Sequence, residues 1–384
     1  MRQFLAGGRV FTGDTILEGH GVLLEDDRIA AVLPEEEAPA GAAHVTLPEH
    51  TLLAPGFLDT QVNGGGGVLF NDTPTVEGAL AIARAHRRFG TTGLLPTFIT
   101  DHADGMRRAA DAAAEAAASP GSGVVGLHLE GPFLNRERRG VHKAEFVRAP
   151  TDADLDFLCA LPARFPQGRV LLSLAPEVVA DTDIARLAAA GVVVAGAHSA
   201  ASFDRTGQAI AAGLSGFTHL FNAMPPIQNR EPGIALAAMT DPGTACGIIA
   251  DGIHVHPALL RAALAAKPAD KLFLVTDAMP PTGTDVTSFA LYGETIHRRD
   301  GRLVTDAGVL AGADIDMAQA LRNAIRLLGL PLERALRMAS LYPARFLGLE
   351  RRYGRLSAGT AANLVLLSAD LSVLATWVAG RREG

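Results

Sequence analysis

Short apolar runs alternate with alanine-rich stretches through the middle of this chain, and this alternation constrains the fold more than any other feature. It is typical of repeated βα units around a parallel sheet. The intervening stretches carry Thr or Asp near several starts and Gly near several ends, as helices do. The candidate strands are residues 52–63, 92–99, 123–130, 169–177, 191–199, 216–222, 245–251 and 271–278. Eight parallel strands with intervening helices predict an α/β fold, a (β/α)8 TIM barrel rather than an open doubly wound sheet.

The two ends of the chain have a different pattern. Residues 1 to about 52 contain GVLLEDDRIAAVLP, two apolar runs around an acidic turn, and residues 354–384 contain ANLVLLSADLSVLATWVAG in the same style. Both patterns are typical of β-hairpins. We therefore predict a small discontinuous β-sandwich domain, built from residues 1–52 and 354–384, beside a barrel of residues 53–353.

Composition and charge narrow the classes of function. With 384 residues, 48% of them hydrophobic and 20% charged, the chain can bury a sizeable core. A formal net charge of -7 argues against nucleic acid or an anionic membrane as a partner. The cysteines Cys159 and Cys246 form no disulfide framework, and the longest apolar stretch, 187–197, is too short to span a bilayer. We therefore expect a cytoplasmic protein.

Polar side chains collect where a barrel has its active site, at the carboxyl ends of the strands. Taken singly, each has a structural explanation, such as a hydrogen-bonded histidine in the core. Glu130 in GLHLEGPFLN must be either a satisfied structural acid or a ligand, because an unpaired buried carboxylate is costly. The polar residues at predicted strand ends are Gln61, Asn63, Glu130, Glu177, His198, His219 and Asp277.

Three of these residues form a set suited to a catalytic divalent ion. Glu130, His198 and His219 offer one carboxylate and two imidazoles, which leaves a coordination position open for water. Asp277 is a carboxylate that can take a proton from such a water and later return it to a leaving group. The residues alone therefore predict a metal-dependent hydrolase.

With these residues in place, the chain resembles the amidohydrolase superfamily, and within it the N-acetylglucosamine-6-phosphate deacetylase family. The resemblance extends over nearly the whole length and implies hydrolysis of an N-acetyl group from N-acetylglucosamine 6-phosphate, giving glucosamine 6-phosphate and acetate. The motifs that carry it, in order, are APGFLDTQVNGGGG, GLHLEGPFLN, GVHKAEFV, LAPE, AHS, THLFNAMPP, REPG, GIIADGIHV, LVTDAM, MASLYPARFLGL and GTAANLVLL.

The resemblance also implies a metal arrangement. Many amidohydrolases carry a His-x-His pair on the first strand, where this chain has Gln61 and Asn63. These amides line the site or form at most a weak second metal position. Glu130, His198 and His219 match the family's metal ligands. We therefore expect one divalent ion per subunit, zinc, with iron, manganese and cobalt as alternatives.

The remaining site residues are likewise implied by the resemblance. His142 would polarise the acetamide carbonyl and contact substrate, and Asp277 would serve as general base and then acid. The other predicted substrate contacts are Asn222, Ala223, Arg230 and His254. The family pattern further implies a homodimer in which such contacts cross the interface.

Two other functions stay open from the sequence. Another amidohydrolase, such as a dihydroorotase-like enzyme or an N-acyl-amino-acid deacetylase, would share the metal but would not need Arg230 and His254. A non-catalytic sugar-phosphate sensor could use the same barrel. Two departures from the family pattern, HSAAS at 198–202 and AGAD with Asp314, could alter the substrate preference without affecting the metal.

Overall fold

Strands from both ends of the chain share one sheet in the computed structural model, which describes residues 2–383. A four-stranded sheet has the order β5-β4-β1-β6, and the remaining amino-terminal strands pair elsewhere. The strands that precede the barrel are β1 (Arg2–Ala6), β2 (Arg9–Phe11), β3 (Ile16–Leu17), β4 (His20–Glu25), β5 (Arg28–Pro34), β6 (Ala43–Thr46) and β7 (Leu52–Pro55).

An eight-stranded parallel sheet forms the body of the molecule. After β8 (Phe57–Val62), a short hairpin of β9 (Gly64–Gly65) and β10 (Val68–Leu69) precedes the next barrel strand. The barrel strands that follow are β11 (Thr91–Ile99), β12 (Gly126–Glu130), β13 (Arg169–Leu174), β14 (Val193–Gly196), β15 (Gly216–Phe217), β16 (Ala245–Ile249) and β17 (Leu272–Val275). Each pairs in parallel with its neighbour in chain order, from β8 to β17.

The barrel closes through contacts between its last and first strands. A parallel bridge joins Val62 to Ala278, and the N–H of Asp277 donates to the carbonyl of Gln61 at 3.0 Å. Ala278 in turn accepts from the N–H of Asn63 at 2.9 Å. The sheet is thus a closed (β/α)8 barrel, and the predicted fold class is confirmed.

Helices surround the barrel. Several begin at side-chain caps, because a Thr, Ser or Asp oxygen accepts an N–H of the first helical turn. Thr75, Thr151, Ser202 and Asp316 act in this way. The helices are α1 (Val76–Arg87), α2 (Ala103–Ala118), α3 (Asp152–Ala160), α4 (Asp181–Ala189), α5 (Phe203–Ala211), α6 (Gly233–Thr240), α7 (Pro257–Ala266), α8 (Met317–Arg326), α9 (Leu332–Ala339) and α10 (Leu341–Phe346).

A four-stranded antiparallel sheet is inserted between β17 and α8, and we call it the flap. It has the order β18-β19-β20-β21. Its strands are β18 (Ser288–Leu291), β19 (Glu294–Arg299), β20 (Arg302–Val304) and β21 (Leu310–Ala313). The sequence analysis did not predict this insertion.

The last strands of the chain return to the amino-terminal ones. They are β22 (Leu364–Leu367), β23 (Val373–Val378) and β24 (Arg381–Glu383), and they complete a six-stranded sheet with the order β24-β23-β22-β7-β2-β3. The candidate strand 52–63 therefore divides. Residues 52–55 pair with β22 in this terminal sheet, and only residues 57–62 belong to the barrel. The limits of the two domains stay a prediction.

Apolar side chains fill the amino end of the barrel, and polar ones lie above them. Leu58, Leu171 and Ala195 from the barrel strands pack against Ala344 and Leu347 of the α10 region, which plugs that end. The site-bearing carboxyl ends of the strands are therefore left as the open face. Within residues 2–383, every helix is too short or too polar to cross a membrane.

Candidate active site

Three side chains from separate strands converge at the carboxyl end of the barrel. Glu130 is the last residue of β12, and His198 and His219 lie two residues beyond β14 and β15. Nε2 of His219 lies 2.9 Å from Oε1 of Glu130 and 3.2 Å from Nε2 of His198. Nε2 of His198 lies 3.3 Å from the same carboxylate oxygen. All three side chains are buried.

The spacing of these three atoms fits a divalent ion. Two ligands at zinc-like distances of about 2.0–2.1 Å in a tetrahedral arrangement lie about 3.3 Å apart, close to the separations given above. Nδ1 of His198 donates to the carbonyl of Arg138 at 2.8 Å, which leaves its Nε2 lone pair free, as second-shell bonds to metal-binding histidines do. Ligand atoms of Glu130, His142 and His198 also lie within 4.8 Å of one another, so His142 borders the same position. The geometry and donor chemistry of the cluster therefore fit a bound metal ion.

The contacts between the Glu130 carboxylate and the two histidines shift the pKa values of Glu130 and His219. Burial by itself raises the pKa of the Glu130 carboxyl, but hydrogen bonding to His198 and His219 outweighs it and holds that pKa well below its ordinary value. Burial likewise lowers the pKa of His219, and its contact with Glu130 more than reverses this, so that the pKa is raised. Glu130 is thus held as a carboxylate in a dry site, which is the form that binds a cation.

Asp277 lies two residues beyond β17 and faces the same space. Burial raises the pKa of this carboxyl to about 6, and the negative charge of Glu130 adds to the rise. Its Oδ1 accepts from Nδ2 of Asn63 at 2.6 Å. An acid whose pKa lies near neutrality can both take and return a proton, which suits general acid–base chemistry.

The two amides of the first barrel strand each hold one functional carboxylate. Nε2 of Gln61 donates to both oxygens of Glu130 at 3.2 Å, and Asn63 donates to Asp277 as described. Their amide oxygens, Oε1 of Gln61 and Oδ1 of Asn63, are buried and have no hydrogen-bond partner among the described residues. The amides therefore orient the acids here, and their role as a weak second metal position stays a prediction.

A buried hydrogen-bond chain lies directly beneath the cluster. His128 points to the same side of β12 as Glu130, with Nδ1 3.2 Å from Oγ1 of Thr97 and Nε2 2.8 Å from Oγ of Ser173. Ser173 continues to the hydroxyl of Thr218, the residue before His219. Burial lowers the pKa of His128 to about 4, so this histidine is neutral. His128 is therefore a satisfied core histidine that supports two elements of the site.

His142 projects into the site from the loop after β12. Burial lowers its pKa to about 3, so the ring is neutral. Nδ1 lies 2.8 Å from Oγ1 of Thr100, whose hydroxyl can donate either to this nitrogen or to the carbonyl of Glu130 at 3.1 Å. When Thr100 donates to Nδ1, Nε2 carries the ring proton and becomes a hydrogen-bond donor. The sequence analysis did not single out Thr100, which ends the β11 region without any motif of its own.

A cavity of about 440 Å³ surrounds these groups. The predicted residues that line it are Asn63, Glu130, His142, His198, His219, Asn222, Ala223, His254 and Asp277. Lining residues that sequence reasoning missed are Ile99, Glu137, Arg138, Gly140, Val141, Met279, Gly308, Val309, Leu310 and Gly312. The last four belong to the flap region, which therefore covers the mouth of the site.

Two predicted or suspected substrate residues lie elsewhere. Arg230 is exposed on the loop before α6 and does not line this cavity, so its role in substrate binding stays a prediction. Asp314 does not line the cavity. Its carboxylate forms an ion pair with Nε of Arg298 at 2.7 Å, which joins the end of the flap to its strand β19. His254 does line the cavity, and its Nδ1 lies 2.6 Å from Oδ2 of Asp251, a partner that was not predicted.

A second cavity, of about 500 Å³, lies at the opposite end of the barrel. Its walls include residues 123–125 and 164–168, which precede β12 and β13, together with part of the terminal sheet. None of the predicted functional residues lines it. In this fold the amino ends of the strands serve stability, so the larger cavity is not the candidate active site.

Fold and site together define a barrel hydrolase of the amidohydrolase type. A family model described as the amidohydrolase family matches residues 52–382, and one described as the NagA composite domain matches residues 4–52. The chain belongs to the amidohydrolase family.

Close relatives and solved structures agree with this family over the full length. An N-acetylgalactosamine-6-phosphate deacetylase of Shewanella sp. (strain ANA-3) is 42% identical, covering 97% of this chain and 94% of that protein. An N-acetylglucosamine-6-phosphate deacetylase of Haemophilus influenzae is 34% identical over 99% of both chains. The crystal structure of N-acetylglucosamine-6-phosphate deacetylase from Pasteurella multocida superimposes with a TM-score of 0.95 at 35% identity over 100% of both chains. A Mycobacterium smegmatis deacetylase mutant in complex with N-acetyl-D-glucosamine-6-phosphate has a TM-score of 0.90 at 34% identity over 99% of both.

Proposed function

We propose that this chain hydrolyses the N-acetyl group of N-acetylglucosamine 6-phosphate, giving glucosamine 6-phosphate and acetate. The observation that carries the proposal is the convergence of Glu130, His198 and His219 beside Asp277 in one buried cavity. The full-length similarity to deacetylases of phosphorylated N-acetyl sugars supports the substrate class. An acetate-release assay on the phosphorylated sugar tests it, and a metal-loaded sample that binds the sugar without releasing acetate contradicts it.

Glu130, His198 and His219 would hold one divalent ion, with zinc first and iron, manganese or cobalt as alternatives. When bound, such an ion supplies Lewis acidity and lowers the pKa of a coordinated water towards ~7. Metal analysis of the purified protein, with one equivalent of ion per chain as the expected result, tests this part of the proposal.

Asp277 moves the proton of the reaction. Its carboxylate takes a proton as the water oxygen forms a bond to the acetyl carbon. The same carboxyl then donates that proton to the sugar nitrogen as the C–N bond breaks, because an amide nitrogen leaves poorly as an anion. A carboxyl with a pKa near 6 is mostly ionised at neutral pH, so it can accept the proton in the first step. Once protonated, it is acidic enough to donate that proton to the nitrogen in the second step.

His142 stabilises the negative charge that develops on the acetyl oxygen. With Thr100 donating to Nδ1, the neutral ring presents its Nε2–H toward the cavity. The buried position keeps water from competing for this bond. His142→Gln is expected to lower kcat more than it changes KM, because the bond strengthens in the transition state.

A second substrate has a specific observation in its favour. The relative at 42% identity is an N-acetylgalactosamine-6-phosphate deacetylase, whereas the N-acetylglucosamine-6-phosphate deacetylases reported above are 34–35% identical. The two sugars differ only in the configuration of the hydroxyl at C4, which the metal site does not contact directly in the proposed reaction. Comparison of kcat/KM on the two phosphorylated sugars decides between them.

We also propose a homodimer. Arg230 is exposed and lies outside the cavity of its own chain, as a residue that reaches a partner's site would. Light scattering on the purified protein tests this, and a monomer at all concentrations contradicts it. The cytoplasmic location expected from the sequence belongs to the same proposal, and cell fractionation tests it.

A further inference from the structure

Glu177 follows β13 and does not line the candidate cavity, yet its carboxylate contacts two of the loops that border that cavity. Its Oε1 accepts from Nδ2 of Asn135 at 2.8 Å, on the loop after β12. The same oxygen accepts from the N–H of Ala200 at 2.6 Å, and Oε2 accepts from the hydroxyl of Ser199 at 2.7 Å. Both of these residues lie on the loop after β14. Because hydrogen bonds to a charged acceptor are stronger than those between neutral groups, the Glu177 carboxylate joins three successive loops of the barrel firmly.

One of the loops that Glu177 holds carries His198. Ser199 and Ala200 directly follow His198, and Ser199 is fully buried. The backbone of His198 has a φ of 46°, a left-handed conformation that is unfavourable for a residue other than glycine and persists only where the surroundings fix it. Two hydrogen bonds from the adjacent residues to one carboxylate supply such a constraint. Because Ala200 contributes a backbone N–H, this contact does not depend on its side chain, and the departure HSAAS leaves it intact.

Asn135 connects the same carboxylate to the carbonyl and the ring of His198. Its N–H donates to the carbonyl of His198 at 2.9 Å, and its own carbonyl accepts from the N–H of Arg138 at 3.0 Å. The carbonyl of Arg138 in turn accepts from Nδ1 of the His198 ring at 2.8 Å, the hydrogen bond that leaves Nε2 free for a metal. The backbone and the ring of this proposed metal ligand are thus both held by groups that converge on Glu177.

We propose that Glu177 is a positioning residue for the metal centre, which holds His198 in the conformation that binds the ion. This inference rests on the proposed function and adds to it a residue that touches neither the ion nor the substrate. A ligand whose orientation is fixed in advance loses little freedom when the ion binds, so removal of the Glu177 contacts lowers the metal affinity. Because Glu177 is exposed, its replacement leaves no cavity in the core, and the effect is expected mainly at the metal site.

The test compares Glu177→Met and Glu177→Gln with the matched control Glu35→Met. Glu177→Met removes all three acceptor contacts at a similar side-chain length. In Glu177→Gln, the amide oxygen can still accept the two N–H bonds, and the amide nitrogen can donate to the hydroxyl of Ser199, so the geometry is kept while the charge is lost. Glu35 lies just after β5, outside the barrel, and its Oε1 accepts from the N–H of Gly7 at 2.9 Å. The control therefore removes a glutamate that holds a loop remote from the metal site.

Zinc affinity is measured by competition between the metal-free protein and a chelator of known affinity. Glu177→Met is expected to bind zinc about tenfold more weakly than the wild type, the lower end of the range for residues that orient metal ligands. Glu177→Gln and Glu35→Met are expected to match the wild type. The absorption spectrum of the cobalt-loaded protein is expected to change in Glu177→Met alone. Wild-type zinc affinity or an unchanged cobalt spectrum in Glu177→Met overturns the inference. An equal loss in Glu177→Gln also overturns it, because the charge and not the geometry would then be responsible.

Hydrogen exchange of the metal-free protein separates this inference from the proposed function. The amide of Ala200 is expected to exchange faster in Glu177→Met than in the wild type and Glu177→Gln, and unchanged exchange overturns the inference alone. If the wild type binds zinc but releases no acetate, the proposed reaction fails, and the zinc comparison still decides the role of Glu177. If the wild type binds no zinc, the proposed metal site fails and the inference with it. If thermal unfolding shows that Glu177→Met does not fold, Glu177→Asp takes its place, because the shorter side chain keeps the charge but cannot reach both loops.

Discussion

Replacing Asp277 by asparagine separates catalysis from folding in one isosteric change. The Asp277 carboxyl is buried, and its pKa of about 6 lies above the unfolded value of about 3.9. Because the folded chain favours the protonated acid, this group's contribution to stability is fully present below pH 4. It is lost as the pH rises through 6. At pH 8 the ionised group therefore lowers the free energy of unfolding, by about two pKa units at 1.36 kcal/mol each, or roughly 3 kcal/mol.

Asparagine carries no charge and can still accept the hydrogen bond from Nδ2 of Asn63. Asp277→Asn is therefore expected to raise the free energy of unfolding of the metal-free chain by up to about 3 kcal/mol at pH 8, and by much less at pH 4.5. Turnover of the metal-loaded variant is expected to fall by about 10²- to 10⁴-fold, the usual contribution of a general acid–base group.

Urea unfolding of chelator-treated protein at pH 4.5 and 8, together with acetate release and metal content of the loaded protein, measures both effects. Asp300→Asn is a matched control, because Asp300 is exposed and has a φ of 51°, close to the 52° of Asp277. Wild-type turnover in Asp277→Asn would refute its catalytic role. A lower stability than wild type at pH 8 would refute the electrostatic argument even if turnover is lost.

Three further predictions concern the metal, the core beneath it and a strand contact. Chelation is expected to abolish acetate release, and zinc, manganese, cobalt or iron to restore it; full activity in a sample shown by metal analysis to be ion-free would contradict the metal role. His128→Phe removes one hydrogen-bond partner from each of the hydroxyls of Thr97 and Ser173, so urea unfolding is expected to show a loss of about 1–3 kcal/mol. An unchanged value would show that these two hydrogen bonds do not contribute to stability. Gly126 has a φ of +152°, and in Gly126→Ala the new Cβ would lie 1.9 Å from the carbonyl oxygen of Arg169. We therefore expect little soluble protein or a strongly lowered midpoint of urea unfolding. Wild-type stability would mean that β12 and β13 can separate at this position.

The barrel could be predicted because its strands are short, apolar and separated by helices with recognisable caps. Local pattern does not show which sheet a strand joins, however. The run from 52 to 58 has no polar side chain, yet Leu53 pairs with Leu366 in the terminal sheet while Leu58 lies in the barrel. Gly56 separates the two parts, and a Cβ there would lie 2.1 Å from Oγ1 of Thr92. The split of this segment between two sheets depends on tertiary packing, which the periodicity of the sequence does not show.

The convergence of the candidate metal ligands could be predicted because the carboxyl ends of parallel strands meet at one edge. Glu130, His198 and His219 each follow a strand, so the barrel assignment was enough to bring them together. Arg138 follows no such rule, and Thr100, although it directly follows β11, carries no titratable group that would single it out. Their places depend on a loop that folds back across the site and on a hydroxyl bond to His142, and neither has a sequence signal beyond residue type.

Closure of the barrel and assembly of the site use the same contacts. His198, His219 and Asp277 have φ values of 46°, 33° and 52°, a conformation that costs a non-glycine residue of order 1–3 kcal/mol. Such strain persists only where neighbours fix it, and the bond from the N–H of Asp277 to the carbonyl of Gln61 does so while it joins the last strand to the first. The next hydrogen bond, from the N–H of Asn63 to the carbonyl of Ala278, fixes the backbone of Asn63, whose side-chain amide donates to the Asp277 carboxylate. The seam of the barrel thus positions Asp277, the proposed general base and acid, and this carboxyl can be in place only when the barrel is closed.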